Sequence, residues 1–92
     1  MNRLLVVDDD IQILSALEAA LRRKGFDVET ASNGFEALRR LDAAPVQAVL
    51  TDLRMPGMDG LELLHQIRRS RPELPIIMAR LVRTWMAGEK TR

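Results

Sequence analysis

The chain contains no cysteine, only one histidine (His65), and no apolar run approaching the length of a membrane span. Without cysteine there are no disulfides, no thiol chemistry and no cysteine-based metal site. The apolar runs near the start are short and no signal-peptide cleavage pattern follows them, which argues against a spanning helix and against export. A cytoplasmic location is therefore expected. Internal repeats and low-complexity stretches are missing as well.

What is present suits one small globular domain: 92 residues, 47% hydrophobic and 29% charged. A chain of this size can build a single core, with a thin stability margin. Its net charge of +1 conceals an asymmetry. Residues 1–79 carry ten Lys/Arg and twelve Asp/Glu, whereas residues 80–92 carry four Lys/Arg and one Glu. The chain divides accordingly into a domain over 1–79 and a short basic tail over 80–92.

Along the domain, apolar runs that fit strands alternate with segments of helical period. Leu4-Leu5-Val6-Val7 is a continuous apolar run, as expected of a strand buried on both faces, and it ends in Asp8-Asp9-Asp10. Asp10 is placed to cap a helix whose apolar positions are Ile13 or Leu14, Leu17 and Leu21. Arg22-Arg23-Lys24 close that helix, with Gly25 as its stop. Residues 26–31 alternate like a strand near an edge, and Asn33-Gly34 marks a turn. Phe35, Ala37, Leu38 and Leu41 then give a second helix that ends before Pro45. Residues 46–51 form a third strand running into Asp52. After a loop punctuated by Pro56-Gly57 and Asp59-Gly60, the residues Leu61, Leu63, Leu64 and Ile67 give a third helix. Residues 75–78 are a fourth short strand. This order predicts right-handed crossovers and a parallel sheet covered on both faces. Beyond it, Leu81, Val82, Trp85 and Met86 would share one face of a further helix in the tail.

Functional groups in such a sheet gather at the carboxyl ends of the strands. Asp8 and Asp9 follow the first strand and Asp52 follows the third, so if those strands are neighbours three carboxylates meet at one edge. Carboxylates that close repel one another unless a cation neutralises them or some are protonated. Hard oxygen donors with neither His nor Cys among them favour Mg2+ over zinc. Magnesium keeps waters and bonds phosphate oxygens, which points to phosphoryl chemistry with an aspartate as nucleophile. Asp10 and Asp59 read more simply as a helix cap and a turn residue. His65 reads as a helix-surface histidine, and the methionines as core and loop filling.

Three segments together closely resemble the receiver domains of bacterial response regulators. They are residues 4–10, the segment Leu50-Thr51-Asp52-Leu53-Arg54-Met55-Pro56-Gly57-Met58-Asp59-Gly60, and Pro75-Ile76-Ile77-Met78. The central pattern, an Asp followed four residues later by Pro and then Gly-Met-Asp-Gly, is specific, and the likeness spans residues 3–79. It implies a flavodoxin-like, three-layer α/β fold with sheet order 2-1-3-4-5. It also implies that Asp52 is the phosphoacceptor, with Mg2+ held by Asp9, Asp52 and the backbone carbonyl of Arg54, and Asp8 orienting a metal-bound water. The implied partner is a histidine kinase or a phosphotransfer protein.

Two features of the family are not found. The Ser or Thr that follows the fourth strand falls on Arg80, and no lysine follows a fifth strand, since Lys90 precedes Thr91-Arg92 with no strand before it. The expectation is thus a receiver lacking its usual fifth strand and fifth helix, and associating as a homodimer through the edge so uncovered. Competing readings are a phosphohydrolase, a non-signalling dimerisation or sequestering module, and nucleic-acid binding. Haloacid-dehalogenase-like phosphohydrolases need a second Asp two residues after the nucleophile, where this chain has Arg54, so an acceptor is favoured over an enzyme. Thirteen tail residues are too few for a helix-turn-helix, which makes direct nucleic-acid binding unlikely.

Overall fold

The computed structural model describes residues 2–79. The expected tail helix, the position of Arg80 and the expected loss of a fifth strand and helix all lie outside those residues.

The described chain runs β1 (Arg3–Val7), α1 (Ile11–Arg23), β2 (Asp27–Ala31), α2 (Gly34–Ala43), β3 (Ala48–Asp52), α3 (Gly60–Ser70) and β4 (Ile76–Ala79). The strands form one sheet of order β2-β1-β3-β4, and every neighbouring pair is parallel. This agrees with the order expected for the first four strands of a flavodoxin-like receiver. Such a sheet needs crossovers, and each helix supplies one.

Local chemistry sets the helix ends. Asp10 accepts hydrogen bonds from the N–H groups of Gln12 and Ile13, Asn33 from Glu36 and Asp59 from Glu62, each capping a helix that begins at the carboxyl edge of the sheet. At the far end of α1, Gly25 adopts φ +100°. The N–H of Gly25 donates to the Arg22 carbonyl and that of Phe26 to the Leu21 carbonyl, which satisfies carbonyls of the last turn.

Side-chain alternation divides the core into two layers. Leu5, Val7 and Val49 point toward α2 and α3, where they meet Ala37, Leu41, Leu63 and Ile67. Val6 and Val28 point the other way, toward Leu14, Leu17 and Leu21 of α1. Leu5, Leu63 and Ile67 are fully buried, and each such side chain contributes roughly 1.5–3 kcal/mol.

Three apolar residues are more exposed than the sequence pattern implies. Phe35 and Leu61, assigned to apolar helix faces, are each 57% exposed. Both are the second residue of their helix, and helical side chains lean toward the N-terminus, which carries them past the end of the sheet. Ile77 is also 57% exposed. It pairs with Leu50, on the face that α1 covers, but α1 packs chiefly on β1 and β2.

Candidate phosphoacceptor and metal site

Register assembles the acid cluster. Val7 of β1 pairs with Thr51 of β3, so the next residues, Asp8 and Asp52, emerge side by side. Asp9 follows Asp8 around the rim. One carboxylate oxygen from each of Asp8, Asp9 and Asp52 lies within 4.8 Å of the others. The three acids singled out by sequence are brought together.

Their surroundings differ. Asp8 is buried, 1% exposed, and Asp52 is 8% exposed, whereas Asp9 is open to solvent. Asp8 Oδ1 accepts the N–H of Asp10 at 2.8 Å. Its Oδ2 is buried and accepts no hydrogen bond among the described residues. Burial pushes the Asp8 carboxyl up to about 6, against the pull of the Asp10 N–H, and repulsion from Asp52, Asp9 and Asp10 adds to the rise. A buried carboxylate oxygen without a donor, facing two further carboxylates, calls for a cation. An all-oxygen donor set suits Mg2+, so the residues fit the expected metal.

Backbone contacts place Asp52 and the segment after it. The Arg54 N–H lies 3.4 Å from Asp52 Oδ1. Leu53 N–H donates to Ala79 O of β4 at 3.0 Å, and Gly60 N–H donates to Leu53 O at 2.9 Å. A Cβ on Gly60 would lie 2.6 Å from the Asp52 carbonyl oxygen, so glycine is required where α3 starts against the acceptor residue. The Arg54 side chain is exposed.

A profile of the response regulator receiver domain matches residues 4–83. The chain belongs to that family. This receiver domain is 45% identical over 78 residues to a transcriptional regulatory protein, a CpxR homologue from Haemophilus influenzae, covering 85% of this chain and 34% of that protein. It thus spans about a third or less of the length of the curated relatives it matches. Among solved structures it is similar to the response regulator TrrA of Thermotoga maritima in complex with Mg2+-BeF, with a TM-score of 0.84 and 34% identity, covering 95% of this chain and 76% of that one. TrrA in complex with the histidine kinase ThkA gives a TM-score of 0.82 and 38% identity, covering 87% and 69%.

The remaining candidates of the receiver are placed as follows. Asp10 and Asp59 both cap helices. His65 is exposed on α3. Sequence reasoning did not find the structural weight of Gly34, Met58 and Gly60. It took the glycines as turn markers and Met58 as filler, because close approach between loops leaves no periodic signal.

Proposed function

We propose that this receiver domain accepts a phosphoryl group on Asp52 from a histidine kinase or phosphotransfer protein in a Mg2+-dependent reaction. The observation that supports this best is the convergence of Asp8, Asp9 and Asp52 within 4.8 Å at the carboxyl edge of the sheet, with the buried Asp8 Oδ2 lacking a hydrogen-bond donor among the described residues. Asp9, Asp52 and the Arg54 carbonyl would hold the ion, with Asp8 orienting its water. When bound, Mg2+ screens the negative charge of donor and acceptor from each other. A carboxylate oxygen of Asp52 forms the new P–O bond while the P–N bond of the phosphohistidine breaks, and that electron pair returns to the imidazole nitrogen. The domain accepts the group and does not act as an enzyme in its own right. Arg54 stands where a second catalytic Asp would be needed for phosphohydrolase turnover.

The same proposal puts the domain in the cytoplasm and assigns these residues no direct contact with nucleic acid or membrane. Among the described residues no helix is long and apolar enough to cross a membrane. Self-association belongs to it too, because among the described residues β4 hydrogen-bonds to β3 alone and Ile77 is 57% exposed. Sedimentation velocity over a concentration series should show a dimer. A monodisperse monomer at high concentration would remove that part.

The central test uses a small-molecule phosphodonor with Mg2+ and intact-mass spectrometry. One phosphoryl group should add to the wild type and none to Asp52→Asn. Labelling that persists in the variant would place the acceptor elsewhere.

A further inference from the structure

Residues 53–59 leave the sheet after Asp52 and rejoin the fold at α3. Their neck is closed by the hydrogen bond from Gly60 N–H to Leu53 O. Met55 and Met58 turn inward from this segment, 7% and 6% exposed, and join the core that α2 and α3 share. Met58 rests on the backbone of Gly34, the first residue of α2. A Cβ added at Gly34 would lie 2.6 Å from Met58 Sδ and 3.0 Å from its Cβ and Cγ.

The backbone does not itself ask for glycine at this position. Positive φ occurs in the described glycines only at Gly25 and Gly57, and helix propensity favours almost any other residue at 34. What calls for glycine there is the space that Met58 occupies. The α2 start is firm enough to act as a seat. Asn33 accepts the Glu36 N–H at 2.8 Å, and Glu36 accepts both the N–H and the hydroxyl of Ser32, at 2.9 and 3.1 Å.

We propose that Gly34 and Met58 are positioning residues for the metal site. The Met58 side chain, seated on the bare backbone of Gly34, holds the segment carrying Arg54 in register with Asp52, so that the carbonyl of one and the carboxylate of the other serve a single ion. This rests on the Mg2+ reading above. If Met58 were only filler, changing it would alter stability and leave the metal affinity of the folded protein untouched.

The experiment measures the Mg2+ dissociation constant of the folded protein from NMR amide shifts, with urea unfolding in parallel. Wild type is compared with Gly34→Ala, Met58→Ala, the double variant, and Leu41→Ala, which removes side-chain volume from the same core outside the loop. Gly34→Ala and Met58→Ala should each weaken Mg2+ binding about tenfold, the effect typical of losing a group that orients a ligand. The double variant should bind no more weakly than Met58→Ala alone, because the two changes act through one contact. Leu41→Ala should lower the unfolding midpoint and leave the dissociation constant unchanged. Wild-type affinity in both single variants would overturn the proposal, and should Gly34→Ala fail to fold, Met58→Ala decides by the same comparison. A wild type that takes up no Mg2+ would overturn the metal reading itself, an outcome visible without any variant.

Discussion

The two edges of the sheet are built from the same parallel strands yet have opposite chemistry. At the carboxyl edge lie Asp8, Asp9, Asp52, the capping Asp10, Asn33 and Asp59, and the exposed apolar residues Ile11, Phe35 and Leu61. The amino edge collects the cationic last turns of the helices: Arg22 and Arg23, Arg40, then Arg68 and Arg69. A parallel sheet with helical crossovers turns every helix N-terminus toward one edge, and helix dipoles draw acids there and bases to the other. What differs is satisfaction. At the amino edge Arg3 pairs with Asp27, Arg68 donates to the carbonyls of Arg71 and Leu74, and Arg71 reaches the Leu41 carbonyl and Asp42. At the carboxyl edge Asp8 Oδ2 is left without a donor among the described residues. Closed hydrogen bonding at one end and an orphaned carboxylate at the other separate the scaffold from the site.

Metal affinity tests that contrast most strongly. Asp9→Asn should weaken Mg2+ binding by at least about tenfold, since losing a direct ligand costs no less than losing a group that merely orients one. Titration followed by NMR reads the effect, and equal binding by both proteins would break the comparison.

Next in size is a pH effect on the metal-free domain. The Asp8 carboxyl is raised from 3.8 to about 6 in the fold, chiefly by burial. Between those values the folded state keeps a proton that the unfolded chain has released. Stability therefore falls as pH rises through this window, and the full penalty stands above it. In chelator, Asp8→Asn should be more stable than wild type near about pH 7, by about 1–2 kcal/mol after discounting for solvent screening. It should also flatten the profile obtained by urea unfolding at several pH values. Mg2+ would oppose the wild-type trend, because a cation bound beside Asp8 favours its ionised carboxylate.

The smallest expected effect lies at the opposite edge. Arg71 donates to Leu41 O at 3.0 Å and to Asp42 Oδ1 at 3.1 Å, with Asp42 largely in solvent. Arg71→Ala should cost about 1 kcal/mol of stability in urea unfolding. Its Mg2+ affinity should equal that of wild type, and a change there would show the two edges to be coupled.

Much of this is legible in the amino-acid sequence, and for definite reasons. Asp10 sits where an apolar helical period begins, so its cap and the element order can be read locally, whereas Asn33 and Asp59, which read as turn residues, also cap helices. The polar alternation of residues 26–31 reads as a strand near an edge, and β2 lies at the edge of the sheet among the described residues. Asp52 stands at a strand end within a specific pattern. Exposure is less legible. Phe35 and Leu61 satisfy helical spacing, yet the sheet ends before it can cover them, and Ile77 lies in an apolar strand and is 57% exposed all the same. Spacing gives the face of an element but not how far its neighbour extends.

By itself, the sequence determined the alternation of strands and helices, their ends, and the identity of the acids, because these depend on chemistry within a few residues along the chain. Tertiary structure alone decided that Asp8 and Asp52 emerge side by side, that Asp8 Oδ2 is buried with no donor among the described residues, and that Met58 fills the space above Gly34. Those facts depend on register between β1 and β3, and on two loops approaching from either side of the sheet's edge, over separations that no local pattern encodes.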